Sequence, residues 1–142
     1  MAWVTPTGHN DPSSVWYEEA KAYDDNLGDQ ASTISETGYL ELTHAALDCD
    51  RVRVHCYDWI GAQINPEVSI DVYYTDAWFN IFSGVITKST WVEKVIGSVQ
   101  SVTKLRIKFT NSAASTHFLS EVDFGEYEAP VATYRSYGYI MG

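Results

Sequence analysis

A short acidic segment contains the side chains of this chain that are best suited to chemistry. Between Lys21 and Ser32, three aspartates and Asn26 surround Gly28. Carboxylate and carbonyl oxygens are the ligands that calcium prefers, and a glycine lets the backbone turn tightly enough to bring several of them together. The segment therefore predicts a loop organised around a calcium ion. The alternative is a turn whose carboxylates accept backbone N–H groups without a metal.

A second group of polar and aromatic side chains occupies a short connection further along the chain. Its members are Tyr57, Asp58, Trp59, Gln63 and Asn65. An aromatic ring packs against the C–H groups of a sugar, while amides and carboxylates bind the sugar hydroxyls. This composition predicts a glycan-binding surface. Two alternatives stay open, since the same residues suit a protein interface and Trp59 could instead be buried at the end of the core.

The sequence contains no recognisable catalytic motif. The four histidines are scattered, and none has a serine or cysteine partner in a nucleophile motif. Glycines occur singly, so no phosphate-binding loop is indicated. Cys49 and Cys56 are expected to be buried free thiols, because a metal site formed with His55 would lack a fourth ligand. We therefore expect a protein that is not an enzyme.

The elements that position these residues are predicted to be strands. Apolar and polar residues alternate with a period of two in four segments. The apolar positions are Leu40 and Leu42; Val52, Val54 and Cys56; Val68, Ile70, Val72 and Tyr74; and Leu105, Ile107 and Phe109. Strands with one wet face are typical of antiparallel sheets. Seven or eight strands in all, with turn signals roughly every ten residues, predict an all-β fold, an antiparallel β-sandwich of the jelly-roll type.

Two segments resemble the discoidin-like and galactose-binding-like jelly-roll domains. Residues 22–26, with the sequence Ala-Tyr-Asp-Asp-Asn, resemble the opening loop of these domains. Residues 119–124 resemble their closing strand, which carries a glutamate, here Glu121. The resemblance covers roughly residues 14 to 125. Asp25 and Asp29 depart from it, because the family usually has glycine and threonine or serine there. It implies a jelly-roll sandwich with a structural cation.

The predicted calcium ligands come from both of these segments. They are the side chains of Asp24, Asp29 and Glu121 and the carbonyl oxygens of Ala22, Asn26 and Ser32. Together they approach the six to eight oxygens that calcium takes. A shell closed in this way leaves no open position for catalysis, so we expect the ion to be structural.

The length of 142 residues predicts a single domain. We expect residues 1–128 to form the sandwich, with residues 1–20 as an extended lead-in, and residues 129–142 to form an extended, strand-like C-terminal arm. The arm residues expected to contact a partner are Tyr134, Tyr137, Tyr139 and Ile140. Extended arms add strands to open sheet edges, either in the same chain or in a neighbouring subunit.

The charge of the chain limits the partners that we expect. A net charge of -10 disfavours nucleic acid and anionic membranes. No apolar stretch reaches the roughly 20 residues of a membrane span, and the N-terminal residues lack the pattern of a secretory signal. Five outward-facing basic residues on two predicted strands are expected to pair with acidic neighbours across the sheet. They are Arg51, Arg53, Lys104, Arg106 and Lys108.

These observations lead to two predicted functions. The first is a non-enzymatic structural or attachment module, because the chain resembles accessory proteins that decorate phage capsids or tails. Such a virion protein would be made in the host cytoplasm, and it would assemble through protein contacts as a homo-oligomer or on a virion lattice. The alternative is a carbohydrate-binding module that recognises glycans through its end loops.

Overall fold

A computed structural model describes residues 1–129 of the chain. Strands account for most of these residues, and the one helix among them is a 3₁₀ helix at Glu19–Tyr23. The strands are β1 (Ala2–Val4), β2 (Gly8–Asn10), β3 (Trp16–Tyr17), β4 (Ala31–Thr33), β5 (Leu40–Trp59), β6 (Gln63–Ile64), β7 (Glu67–Tyr74), β8 (Ala77–Val85), β9 (Trp91–Phe109) and β10 (Thr116–Glu126). The predicted all-β fold is confirmed.

Two long strands connect the two layers of a sandwich. β5 and β9 pair along most of their length, and the pairing is interrupted between Thr43 and Leu47 and again between Cys49 and Arg51, where both strands cross between layers. The first layer contains β3, β4, β10, the second half of β5 and the first half of β9. The second layer contains β2, the first half of β5, the second half of β9, β7 and β8. All of the strand pairs are antiparallel.

The core lies between these layers and contains most of the predicted alternating residues, together with residues of β10. The second layer contributes Leu40, Leu42, Ile70, Val72, Leu105, Ile107 and Phe109, and the first contributes Val52, Val54, Cys56, Leu119, Val122 and Phe124. Each is at most 1% exposed, and burying one large aliphatic side chain stabilises the fold by about 1.5 to 3 kcal/mol. Cys49 and Cys56 are buried free thiols, as predicted. Burial raises the pKa of Cys49 to about 11.

The predicted lead-in contributes short strands to both layers. β1 pairs with β10, β2 with β5 and β3 with β4. Trp16 in β3 is buried in the core, where its indole N–H donates to the carbonyl of Gly38 at 3.1 Å. No helix long and apolar enough to cross a membrane occurs among residues 1–129. The predicted arm contacts at Tyr134, Tyr137, Tyr139 and Ile140 lie outside the described residues.

Candidate functional site

A bulge in β10 positions the glutamate of the predicted calcium site. Leu119 lies opposite Cys56, but Glu121 lies opposite His55, so Ser120 is an extra residue in β10. The bulge turns Glu121 to the outer face of the first layer, where it shares that face with Asp123. The residues between and after them, Val122 and Phe124, point inward and are buried in the core.

Three carboxylates form a cluster on this outer face. Asp25, Glu121 and Asp123 each offer an oxygen within 4.8 Å of the others. Asp25 reaches the cluster from the loop after the 3₁₀ helix, with its backbone in the left-handed region at a φ of 57°. Glu121 is 2% exposed, and neither of its carboxylate oxygens has a hydrogen-bond partner among the described residues.

The electrostatics of the cluster disfavour an ionised Glu121 unless a positively charged partner is present. Burial raises the pKa of Glu121 to about 8, the nearby backbone N–H of Asp25 opposes the rise, and the carboxylates of Asp123, Asp24 and Asp25 add to it. Buried carboxylates normally have hydrogen-bond donors or a cation as partners. The cluster therefore fits a hard divalent cation such as calcium, which binds carboxylate oxygens.

The predicted ligand set differs from this cluster. Asp24 accepts the backbone N–H of Asn26 at 3.0 Å, and Asn26 accepts the N–H of Gly28 at 2.9 Å. The Asn26 amide also donates to Asp29 at 3.2 Å. These hydrogen bonds are of the kind expected for the alternative that we gave for this segment. The predicted calcium ligand set stays a prediction.

Only one predicted carboxylate ligand lies in the described cluster. It is Glu121; the other two carboxylates of the cluster belong to Asp25 and Asp123, and the predicted ligands Asp24 and Asp29 are not part of it. Ala22, expected to contribute a carbonyl, lies in the 3₁₀ helix, and Ser32, expected to do the same, lies in β4. Asp123 was missed although it lies two residues from Glu121, a spacing that places two side chains on one strand face.

Arg53 forms an ion pair with Asp123 of the cluster. Its Nε donates to Oδ2 of Asp123 at 2.8 Å. Its guanidinium lies between two indole rings, 4.5 Å from the centroid of Trp3 and 3.8 Å from that of Trp91. Burial raises the pKa of Asp123, and Arg53 opposes that rise. One aspartate is therefore fixed in the cluster before any ligand arrives.

An aromatic group lies on the same outer face, toward the end of β5. Tyr57 stacks on Phe118 of β10, with ring centroids 4.9 Å apart and planes inclined by 24°. Trp59, two residues along β5, is 40% exposed, so the alternative that it caps the core is wrong. We call Tyr57, Trp59 and Phe118 the aromatic rim. Phe118 was missed because its position opposite Tyr57 depends on the register of two distant strands.

Two predicted ligand residues support the loops beside the rim. Gln63 accepts a hydrogen bond from the hydroxyl of Ser89. Oδ1 of Asn65 accepts the backbone N–H of Lys88 at 3.0 Å. These bonds join the segment after β5 to the loop before β9. Both amides thus hold the loops in place.

Asp58 points away from the rim and into the core. It is fully buried, and its Oδ1 lies 2.6 Å from Nδ1 of His117. Nε2 of His117 lies 2.7 Å from the carboxylate of Glu36. Burial lowers the pKa of His117, but the two carboxylates outweigh this effect and the net pKa is raised. Because successive side chains of a strand point to opposite faces, Asp58 points inward while Tyr57 and Trp59 point outward. Asp58 is therefore not part of the surface that they form.

Comparison with protein-family models gives no match, and neither does comparison with curated protein sequences. Solved structures match most of the chain. The CBM32 of AlyQ in complex with 4,5-unsaturated mannuronic acid is 14% identical, with a TM-score of 0.69 over 87% of this chain and 98% of that one. The family 32 CBM from C. perfringens NanJ in complex with galactose is 8% identical, with a TM-score of 0.68 over 86% and 96%. A Streptococcus pneumoniae fucose binding module is 18% identical, with a TM-score of 0.62 over 90% and 100%.

The chain has the discoidin-like jelly-roll fold. The predicted resemblance and jelly-roll architecture are thereby confirmed. Within the discoidin-like fold, β10 carries both candidate sites, with Phe118 of the rim and, beyond the bulge, Glu121 and Asp123 on the same outer face.

Proposed function

We propose that this protein is a non-catalytic carbohydrate-binding module whose ligand packs on the aromatic rim. The observation that carries the proposal is the exposed ring of Trp59 beside the stacked pair of Tyr57 and Phe118. Such a surface offers apolar ring faces to the C–H groups of a sugar. The matched structures support this function, since their descriptions name a bound uronic acid, galactose and a fucose binding module.

The rim is well suited to binding because its supports are rigid. Rings on paired strands lose little freedom when a ligand arrives, and the bonds of Gln63 and Asn65 fix the adjoining loops. The amide N–H groups of Gln63 and Asn65 would donate to sugar hydroxyls. No proton transfer or covalent step is needed for this function.

The experiment that tests the function is a glycan screen followed by calorimetry with each glycan that binds. Trp59→Ala should weaken binding by about tenfold, the loss expected when a ring contact is removed. Phe79→Ala is the matched control, because Phe79 is 39% exposed and lies on β8 in the second layer, away from the rim. Equal affinities for the two variants, or a screen without any bound glycan, would contradict the proposal.

We also propose that calcium is bound by Asp25, Glu121 and Asp123 and stabilises the module. The ion would supply positive charge to a cluster whose buried glutamate has no hydrogen-bond partner among the described residues. Its role would be architectural, since it would join the loop after the 3₁₀ helix to β10. The residues of the cluster fit the ion, and no catalytic step follows from it.

The prediction of a phage-type virion subunit stays a prediction. Neither the described residues nor the three matched structures test an assembly of subunits. The exposed aromatic rim favours the carbohydrate-binding alternative, because it has the composition expected of a surface that binds a sugar.

A further inference from the structure

Among residues 1–129, Tyr17 is the most exposed tyrosine, tryptophan or phenylalanine. It is 64% exposed, compared with 40% for Trp59 of the rim. It lies on β3, the outermost strand of the first layer. Exposure of a single aromatic side chain needs no explanation by itself. The position of Tyr17 in the sheet does, because it brings this ring into line with the rim.

The strand register defines a row that crosses the first layer. Tyr57 of β5 lies opposite Phe118 of β10, and Phe118 lies opposite Ser32 of β4. Ser32 in turn lies opposite Tyr17 of β3. The neighbours of these four residues within their strands are all buried, so the four side chains point to the outer face. We call Tyr57, Phe118, Ser32 and Tyr17 the aromatic row.

The backbone that carries Tyr17 is held firmly in place. The preceding residue, Trp16, is buried in the core, and its backbone N–H donates to Oδ2 of Asp11 at 2.9 Å. The hydroxyl of Thr33 in β4 donates to the carbonyl of Val15 at 2.7 Å. An exposed ring on such a fixed strand has only its own side-chain freedom to lose when a ligand packs on it.

The aromatic row is longer than one sugar. Paired strands lie about 4.8 Å apart, so Tyr17 is about 14 Å from Tyr57 and about 10 Å from Phe118 along the row. Ser32 lies between the rings of Phe118 and Tyr17, and its side chain is short. A pyranose has about the size of one aromatic side chain. A sugar on the stacked pair of Tyr57 and Phe118 therefore does not reach Tyr17, whereas another sugar of the same chain does.

The rings on the outer face of the second layer already have cationic partners. Nζ of Lys104 lies 4.6 Å from the ring of Tyr73, and Nζ of Lys108 lies 4.8 Å from that of Tyr39. Among residues 1–129, neither lysine has a carboxylate oxygen within 4.0 Å. The predicted pairing of basic residues with acidic neighbours is therefore confirmed for the three arginines but wrong for these lysines. The aromatic row is the better surface for a sugar.

The chemistry of the aromatic row favours an uncharged ligand. The row contains three rings and the hydroxyls of Ser32 and the two tyrosines, and it carries no ionised side chain. The carboxylates of Asp25, Glu121 and Asp123 lie on the same outer face, and the net charge is -10. Both disfavour an acidic glycan.

We propose that the aromatic row binds a neutral oligosaccharide that lies across the strands, with one sugar on the rim and another on Tyr17. The ring of Tyr17 would pack against the C–H groups of the second sugar, and the hydroxyl of Ser32 would bind a sugar hydroxyl between the rings. This inference rests on the proposed function, and it adds that the ligand is a chain of neutral sugars.

The experiment compares two ligand lengths by calorimetry. The probes are galactose, glucose, mannose, xylose and N-acetylglucosamine, each as the monosaccharide and as its β-linked tetrasaccharide. For a sugar that binds, the wild type should bind the tetrasaccharide about tenfold more tightly than the monosaccharide. Tyr17→Ala should remove this gain and leave the affinity for the monosaccharide unchanged. Tyr17→Phe should keep the gain because it keeps the ring, and Phe79→Ala is the control on the second layer.

Two kinds of result would overturn the inference and leave the proposed function intact. One is equal affinity of the wild type for the two lengths, or an unchanged tetrasaccharide affinity in Tyr17→Ala. Equal losses for both lengths in Tyr17→Ala would likewise show that Tyr17 acts through the fold of the first layer. The other is failure of every neutral probe, together with an acidic glycan whose binding is weakened by Trp59→Ala. Absence of any glycan that depends on Trp59 would instead contradict the proposed function itself.

Discussion

Arg53 and Asp123 form an ion pair across β5 and β10, with Nε of the arginine 2.8 Å from Oδ2 of the aspartate. Arg106 and Asp71 repeat the arrangement across β9 and β7 at the same distance. Each guanidinium also lies between two aromatic rings, and each aspartate is only 4% exposed. Each layer therefore holds an arginine on its sheet face by the same combination of contacts, an ion pair with an aspartate and two aromatic rings.

Replacing Arg53 with methionine should lower the free energy of unfolding by about 3 kcal/mol, because Asp123 would be left buried without its partner. Chemical denaturation measures the change. Arg51→Met is the control, since the side chain of Arg51 is 34% exposed and its partners Asp50 and Glu93 are less buried than Asp123. That variant should lose less than about 1 kcal/mol. Similar losses in both variants would contradict a special role for the buried pair.

The calcium ligands can be distinguished by two isosteric substitutions. Calcium at about 100 times its dissociation constant should stabilise the wild-type protein by about 2.7 kcal/mol. Asp25→Asn should greatly reduce this gain, because Asp25 lies in the carboxylate cluster. Asp29→Asn should preserve it, because Asp29 accepts from Asn26 and an amide oxygen can do the same. Thermal melts in calcium and in chelator measure the gain. The opposite ranking would restore Asp29 as the ligand.

Period-two alternation was sufficient to predict the sandwich, because residues such as Val52 and Val54 must be buried on one face. It could not predict that β5 continues through residues 44–50 into a second layer. Nor could it place Glu121, since alternation from Leu119 points that side chain inward and the bulge at Ser120 turns it outward. Resemblance to a family identified Glu121. Asp25 and Asp123 could be assigned to the carboxylate cluster only from the folded structure, which brings the three residues together.

The hydrogen-bonded group around His117 predicts a dependence of stability on pH. The pKa of His117 is raised in the folded protein above its ordinary value of 6.5. The group therefore contributes stability below about pH 6.5, and this contribution is lost as pH rises through the folded pKa. Each unit by which the pKa is raised corresponds to about 1.4 kcal/mol in the free energy of unfolding.

Denaturation at several pH values between about 6 and 9 measures this loss. In His117→Gln the titrating ring is absent, so the wild type should lose more stability than this variant as pH rises. His9→Gln, which changes an exposed histidine, should behave as the wild type. Parallel pH profiles for wild type and His117→Gln would mean that the two carboxylates do not stabilise a charged ring.

Substitution of the buried Asp58 should change the stability of the protein, whereas substitution within the aromatic rim should change its glycan affinity. Asp58 was expected to bind the ligand, but its side chain is fully buried against His117, whereas Trp59 is exposed. Asp58→Asn should therefore lower the melting temperature, because it removes the charge that His117 faces. Glycan affinity of the folded variant should stay within about twofold of the wild type, as the rim is unchanged.

Phe118→Leu should produce the reverse pattern. Leucine keeps an apolar side chain on β10 but removes the ring that stacks on Tyr57 at 4.9 Å. Such aromatic pairs contribute about 0.5 to 1.5 kcal/mol to the fold, so the melting temperature should fall slightly. A glycan that packs on the pair loses a ring contact and should bind about tenfold more weakly. Calorimetry with a glycan from the screen, beside thermal melts, compares Phe118→Leu with Asp58→Asn. A larger loss of affinity in Asp58→Asn would mean that the ligand reaches the interior between the layers, and that the exposed rings are not its binding surface.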